Sequence, residues 1–168
     1  RVNLAVLLGN RGDFSAQRAV VEEGLKTRDD GRLRMLLGSN YAADGDRDRA
    51  REEFVRAARL DDKDAKPIIE LARLDQTAGK LDDAKQRWDE ALKRNPRAPE
   101  ALAGKATSLE NNGDREQAIR LYRESLAIDP RQSFARERLI KLLEAMKEPE
   151  EAAKLREAGE KLAPPASR

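Results

Sequence analysis

Apolar residues recur along this chain in short stripes that have the spacing of an α-helix. Residues three or four apart lie on one face of a helix, so each stripe predicts an amphipathic helix with one buried face. The stripes come in pairs, and a glycine followed by Asp or Lys divides most pairs. One pair consists of Leu102, Ala106, Leu109 and Ala118, Leu121, Tyr122, Ser125. The pattern therefore predicts a series of helical hairpins.

The dividing glycines predict where each first helix ends. Glycine readily adopts the left-handed conformation that terminates a helix, and the residue after it can cap the next helix. Asp114 followed by Gln117 also matches a capping box, and Pro149 suits the first turn of a helix. The dividing pairs are Gly12-Asp13, Gly45-Asp46, Gly79-Lys80 and Gly113-Asp114. The predicted helices are 1–10, 13–26, 32–44, 46–59, 66–78, 81–94, 99–111, 114–127, 133–146 and 149–162.

One set of residues returns every 34 positions, as from Gly45 to Gly79 and on to Gly113. Such a period is typical of a helical solenoid, in which each repeat packs on its neighbours. The repeats are residues 1–30 (partial), 31–64, 65–98, 99–132 and 133–166, and we expect one array over residues 1–168. The bulky members of the set are expected in the core. The set is Gly45, Ala50, Phe54, Ala57; Gly79, Ala84, Trp88, Ala91, Pro96; and Gly113, Ala118, Tyr122, Ser125, Pro130.

This arrangement resembles the tetratricopeptide repeat (TPR) family. The match rests on the periodic set and on Leu37, Gly38 and Tyr41 in the first half of residues 31–64. Asp62 stands where the family pattern has proline, and Lys105 stands where it has an apolar residue. The resemblance covers about four and a half repeats. It implies an all-α fold, a right-handed α-α superhelix of about ten antiparallel helices.

The two ends of the chain differ in their patterns. The first predicted helix is apolar around almost its whole circumference, which is typical of a helix buried between neighbours. Because the chain also opens partway through a repeat, we expect a fragment of a longer protein whose N-terminal part is missing. In the last repeat Arg156 and Glu160 occupy packing positions, and Pro164-Pro165 cannot continue a helix. We therefore expect the array to end there.

Composition and charge exclude several classes of partner. The chain has 34 basic and 32 acidic residues, interspersed along the sequence, whereas a nucleic-acid binder concentrates basic residues on one face. We therefore expect no nucleic-acid partner. No apolar stretch approaches the roughly 18 residues that span a membrane. We expect no direct membrane insertion and a soluble protein of the cytoplasm or the periplasm.

The sequence offers little for catalysis. It contains no cysteine and no histidine, which removes cysteine nucleophiles, zinc fingers and serine–histidine triads. The acidic pairs Asp61-Asp62, Asp82-Asp83 and Glu150-Glu151 fall in predicted turns or on polar helix faces, where carboxylates are solvated. The glycines separate helices and form no phosphate-binding loop. We predict no enzyme activity, no metal and no cofactor.

What remains is a surface for binding protein. The family resemblance implies that the first helices of successive repeats line a concave groove and that fixed positions of each repeat face a partner. By the same rule Glu110 and Arg138 are further groove positions. The candidate partner-binding residues are Val2, Asn3, Val6, Arg32, Met35, Leu36, Ser39, Lys66, Ile69, Glu70, Arg73, Thr77, Thr107 and Asn111.

Two parts of this surface have competing interpretations. The apolar candidates within residues 2–36 suit a peptide or a partner helix laid in a groove, or they pack under a preceding repeat. Lys66 and Arg73 can recognise an acidic side chain of a partner. They can also form a self-neutralising ladder with Glu70, because the spacings are four and three. The ladder is the favoured interpretation.

One binding mode of the family is rejected. TPR domains that bind the acidic C-terminal tails of cytosolic chaperones use a clamp of Lys, Asn and Arg from three successive repeats. No register of this chain places the full set of clamp residues at the corresponding positions. In the register that starts at residue 31 they are Met35, Ser39, Ile69, Glu100 and Gly104. We expect that the chain is not a chaperone-tail clamp.

These observations predict a non-enzymatic protein–protein interaction scaffold or adaptor. Arginine exceeds lysine about two to one and alanine is abundant, which indicates a GC-rich bacterial source. For such proteins the family resemblance implies roles in the cell envelope, secretion or polysaccharide assembly. Two alternatives stay open. The chain can be the regulatory or substrate-docking part of a larger enzyme, or it can form homo-oligomers through its apolar N-terminal helix.

Overall fold

The computed structural model describes residues 1–162, and the predicted helix-stopping Pro164 and Pro165 lie outside the described residues. Within residues 1–162 the chain forms ten α-helices and no β-strand. Every predicted helix is present, with each boundary within one residue of the prediction. They are α1 (Val2–Asn10), α2 (Phe14–Thr27), α3 (Gly31–Ala43), α4 (Arg47–Leu60), α5 (Lys66–Thr77), α6 (Leu81–Arg94), α7 (Pro99–Asn111), α8 (Arg115–Ile128), α9 (Ser133–Ala145) and α10 (Pro149–Leu162).

The helices form two compact units, Arg1–Asn95 and Pro96–Arg168. In the first unit, α1 packs with α2, α3 with α4 and α5 with α6, and contacts from α2 to α3 and from α4 to α5 join these hairpins. In the second unit, α7 packs with α8 and α9 with α10, and α8 contacts α9. The all-α repeat fold is thus confirmed. The single array over residues 1–168 stays a prediction.

A glycine with a left-handed backbone follows each of the helices α1, α3, α5 and α7. The φ angles of Gly12, Gly45, Gly79 and Gly113 are 76°, 81°, 75° and 85°. A Cβ atom at any of these positions meets nothing within 4 Å, so backbone conformation and not space selects glycine. After α9 the same position is held by Lys147, whose φ is 63°. The fifth hairpin therefore makes the same turn without its glycine.

We expect Gly113 and Lys147 to respond in opposite directions when their side chains are exchanged. Gly113→Lys will lower the free energy of unfolding by about 1 kcal/mol, because a residue with a Cβ is strained in the left-handed conformation. Lys147→Gly removes that strain and will raise it by up to about 1 kcal/mol, less the entropy that glycine adds to the unfolded chain. Urea unfolding followed by circular dichroism measures both. Changes of the same sign would contradict this explanation.

Aspartates cap three of the second helices. Asp13 and Asp46 each accept the backbone N–H three residues onward at 3.0 Å, and Asp114 accepts that of Gln117 at 3.2 Å. The predicted capping box at Asp114 is only half formed. The Gln117 side chain donates to the Asp114 carboxylate, while the Asp114 backbone N–H donates to the Leu109 carbonyl at 2.9 Å. Because a carbonyl near the end of α7 accepts this N–H group, the Gln117 side chain does not complete the capping box.

The bulky residues of the repeat are core residues, as predicted. Phe54, Trp88 and Tyr122 are 1%, 2% and 0% exposed. The Phe54 ring lies against Gly38, where an added Cβ would stand 2.6 Å from the ring Cε1 atom. This close approach of α3 to α4 explains the glycine that follows Leu37 in the sequence.

A buried carboxylate joins three helices of the first unit. Asp75 of α5 is 1% exposed. Arg51 of α4 lies 2.6 Å from its Oδ1 atom, and Arg87 of α6 lies 2.5 Å from its Oδ2 atom. Asp75 stands 34 residues after Tyr41, so a carboxylate occupies a position that holds an aromatic ring in the preceding repeat. The two ion pairs satisfy a charge that would otherwise be costly to bury.

Candidate partner-binding face

The candidate residues of the first unit lie on α1, α3 and α5, the first helices of three successive hairpins. α1 contacts α3, and the start of each helix borders a cavity of about 370 Å³. Val2 and Asn3 of α1 and Arg32 of α3 all line this cavity, together with Gly24 and Thr27 of α2. The structure therefore brings three candidate residues together around one concave feature.

The candidates of the first unit differ in how accessible they are. Ile69 is only 5% exposed, so it contributes packing and offers little surface to a partner. Four candidates are half-buried, namely Val2, Met35, Leu36 and Glu70. The exposed candidates are Asn3, Val6, Arg32, Ser39, Lys66, Arg73 and Thr77.

Part of the expected apolar patch serves the core of the first unit. Val2 and Leu36 pack against the buried cluster of Ala5, Val21, Leu33 and Leu37, so they hold α1 and α3 together. Val6 is 42% exposed and Met35 is half-buried outside that cluster. The apolar surface open to a partner is thus narrower than the sequence pattern indicates.

Two of the three cationic candidates in the first unit already face carboxylates. Arg32 pairs with Asp30 at 3.2 Å, and this hydrogen bond is the main reason that the pKa of Asp30 lies below its ordinary value. Arg73 pairs with Glu70 at 3.0 Å, which is one step of the predicted ladder. The Lys66 ammonium makes no ion pair within the part of the chain that the structure describes. An acidic partner would have to compete with Asp30 and Glu70 for these arginines.

In the second unit, candidate Thr107 is tied into a polar network. Thr107 is 7% exposed, and its hydroxyl oxygen lies 3.0 Å from the Ala103 carbonyl oxygen and 2.9 Å from the Tyr122 hydroxyl oxygen, within hydrogen-bond distance of both. The Tyr122 hydroxyl also donates to Glu110 at 3.1 Å. Thr107 therefore fixes the Tyr122 ring more than it offers a hydroxyl to a partner. Candidate Asn111 is exposed near the end of α7.

A bidentate ion pair between Arg138 and Glu110 completes this network and links α9 to α7. Nε and Nη2 of Arg138 on α9 lie 3.0 and 2.6 Å from the two carboxylate oxygens of Glu110 on α7. The hydrogen bond to Glu110 is the main reason that the pKa of Arg138 is raised. Both residues occupy groove positions of the repeat, but the repeat pattern does not predict that they meet. The signal that could have found the pair is their opposite charge on successive first helices.

We expect Tyr122 to make the stability of the second unit sensitive to alkaline pH. Burial raises the pKa of its hydroxyl above the ordinary value of 10.0, and contact with Thr107 offsets only part of this. Because the pKa of Tyr122 is higher in the folded state than in the unfolded state, its neutral form adds to the free energy of unfolding. This contribution is complete below about pH 10 and is lost as pH rises through the folded-state pKa. Tyr122→Phe will cost about 1 kcal/mol at pH 7 and will flatten the alkaline decline.

Urea unfolding between pH 7 and pH 11 tests this prediction. Tyr41→Phe is the matched control, since Tyr41 is the other tyrosine and is only half-buried. The control should keep the alkaline decline of the natural chain. An unchanged alkaline decline in Tyr122→Phe would contradict the prediction.

Other chemistry finds no support in the described residues. Within residues 1–162, no group of three acidic, histidine or cysteine side chains is placed to hold a metal ion. The acidic residues Asp61, Asp62, Asp82, Asp83 and Glu150 are exposed. No described helix has both the length and the apolar character that are needed to cross a membrane.

Comparison with known proteins agrees with the helical hairpins. A tetratricopeptide repeat family model matches residues 69–133, which run from within α5 to the first residue of α9. Residues 69–133 therefore match tetratricopeptide repeats. Tetratricopeptide repeats are generally non-catalytic interaction modules that bind protein partners. No curated protein sequence matches the chain.

Solved structures with the same fold are distant in sequence. PilF of Pseudomonas aeruginosa has a TM-score of 0.83 at 16% identity, over 97% of this chain and 75% of PilF. MamA has a TM-score of 0.69 at 19% identity, over 94% of this chain and 92% of MamA. A chain of the APC/C hetero-tetramer Cut9–Hcn1 has a TM-score of 0.81 at 17% identity, over 94% of this chain but 32% of its own length. At such identities the similarity shows the fold alone.

Proposed function

We propose that this TPR chain is a non-enzymatic scaffold or adaptor that binds a peptide or a partner protein at the face formed by α1, α3 and α5. The observation that carries the proposal is the cavity of about 370 Å³ that Val2, Asn3 and Arg32 line together. Concave sites with a few convergent polar groups are the usual places for ligands. On the surface of these helices, Val6 of α1 and Arg73 of α5 are also exposed and offer one apolar and one cationic side chain.

The test compares partner capture by the natural chain with capture by Val6→Asp/Arg73→Glu. Both positions are exposed, so the fold should survive, and the double variant removes an apolar contact and reverses a charge. A polypeptide captured from a lysate of the source organism is then purified and titrated calorimetrically. We expect the double variant to bind it at least about tenfold more weakly.

Arg59→Glu/Gln86→Glu is the matched control for this experiment. Both residues are exposed, they lie on the second helices α4 and α6, and the variant changes the net charge by the same amount. The control should bind as the natural chain does, with both variants showing an unchanged circular dichroism spectrum. Equal affinity for all three proteins would place the binding face elsewhere.

Self-association is the second candidate function, and the exposure of α1 favours it. Leu4, Val6 and Leu7 are 48%, 42% and 46% exposed, so α1 offers an apolar surface to a second copy of the chain. This function predicts dimers whose fraction rises with concentration. Light scattering that reports a monomer throughout a dilution series would remove the candidate.

A setting in bacterial cell-envelope, secretion or polysaccharide assembly extends the main proposal. The high arginine and alanine content supports a bacterial source, and the Cut9–Hcn1 hetero-tetramer is an instance of this fold within a protein assembly. The captured polypeptide decides this extension, because a component of such machinery is expected and a cytosolic metabolic enzyme would contradict it.

A further inference from the structure

The last helix of the second unit is held by a thin apolar contact. Ala152 is the only buried residue within the described helix α10, whereas α8, of equal length, buries Ala118, Ile119, Tyr122 and Ser125. Arg156 stands at the repeat position that Tyr122 fills in α8, and it is exposed. A helix with so little buried area gains little from docking.

Leu155 is half-buried against the same cluster as Ala152, and the polar contacts that hold α10 are ion pairs at the surface. Arg123 of α8 binds both carboxylate oxygens of Glu151, at 2.8 and 2.6 Å, and Arg156 pairs with Glu144 of α9. The side chains of Arg123 and Glu151 are 45% and 37% exposed. Ion pairs this exposed are weak and are screened by salt. Raising the ionic strength should therefore weaken the docking of α10 more than that of a helix held by a core.

The turn into α10 adds strain at the same place. Lys147 takes the left-handed conformation there with a φ of 63°, where the other four hairpin turns have glycine. Separation of α10 from α9 frees Lys147 to leave this unfavourable conformation. Strain at the hinge and thin packing of the helix thus act in the same direction.

From these three features we infer that α10 is a salt-dependent latch that leaves its place on α8 and α9 as one unit, while the rest of the second unit stays folded. Segments with few buried apolar contacts open locally at a lower free energy than the whole domain. A free helix of this length is only marginally stable in water, so released α10 loses its helical hydrogen bonds. Its release uncovers part of the core cluster that Ala152 forms with Leu139 and Leu143.

Thiol labelling tests the latch in the full chain. The chain has no cysteine, so Ala152→Cys and Ala118→Cys each introduce a single thiol at a position that is 0% exposed. A buried thiol reacts with a disulfide reagent only when its helix opens. We expect the thiol at position 152 to react at least about tenfold faster than that at position 118. From about 50 mM to about 1 M NaCl, the rate should rise severalfold at position 152 alone.

Three further substitutions, each made in the Ala152→Cys chain, separate the ion pair from the hinge. Arg123→Gln should speed labelling severalfold, and Lys147→Gly should slow it by about threefold. Arg120→Gln, an exposed arginine of the same helix α8, is the matched control and should leave the rate unchanged. Hydrogen exchange on the natural sequence provides an independent measurement, in which α10 amides should exchange before those of α8 and α9. The latch proposal would be overturned by equal labelling rates at positions 152 and 118, or by a rate at position 152 that does not change with salt concentration.

Discussion

Replacing Arg51 and Arg87 together by methionine will lower the free energy of unfolding by about 3–5 kcal/mol. The reason is that Asp75, at 1% exposure, has these two arginines as its counter-charges, at 2.6 and 2.5 Å. Methionine keeps much of the aliphatic packing of arginine, so the loss reports the uncompensated charge. Urea unfolding followed by circular dichroism at neutral pH measures the effect.

Two further variants show that the buried charge is the cause. Arg59→Met/Lys85→Met removes two exposed cations from the same helices, α4 and α6, and should cost less than about 1 kcal/mol. Adding Asp75→Leu to the Arg51→Met/Arg87→Met chain should recover most of the lost stability, because an apolar group then fills an apolar site. A triple variant that stays as unstable as the double variant would mean that the arginines act through packing.

Truncating Phe54 to alanine will cost about 3–5 kcal/mol, because it removes a fully buried ring and leaves a cavity between α3 and α4. Gly38→Ala has the opposite effect on packing, because it adds an atom to a site that the Phe54 ring already fills. The new Cβ would stand 2.6 and 2.7 Å from two ring atoms of Phe54. We expect a loss of about 1–3 kcal/mol, although alanine is the better helix former.

The energetic coupling between Gly38 and Phe54 is measured by combining substitutions at the two positions. In a Phe54→Leu background the smaller side chain makes room for the Cβ atom, so Gly38→Ala should cost at least about 1 kcal/mol less than in the natural chain. Ser39→Ala, at the next and exposed position of α3, is the matched control and should be neutral or slightly stabilising. Strictly additive losses would mean that Gly38 is selected for a reason other than the Phe54 ring.

The proposed binding face carries a condition on its partner. Arg32 and Arg73 are paired with Asp30 and Glu70 in the free protein, so a partner carboxylate gains only the difference between two ion pairs. Such exchange gives selectivity and little affinity. Most of the binding free energy must then come from apolar or backbone contacts near Val6 and the cavity beside Arg32.

Much of the fold follows from rules that act over a few residues. Helical spacing of apolar positions placed all ten helices, and the left-handed turn required glycine after four of them. The 34-residue period also placed Phe54, Trp88 and Tyr122 in the core, because equivalent positions of a repeat meet equivalent neighbours. These features are local or periodic, and a single sequence displays both.

The contacts that the pattern left open depend on how neighbouring helices are rotated and spaced. Arg51 pairs with Asp75 across 24 positions of the sequence, and Arg138 pairs with Glu110 across 28. Many other arginines lie at similar sequence separations from a carboxylate. Burial of Ile69 and packing of Leu36 into the core likewise depend on which side of each helix its neighbours cover. The sequence limits these residues to helix faces, whereas the packed helices decide which charges pair and which apolar side chains stay open to a partner.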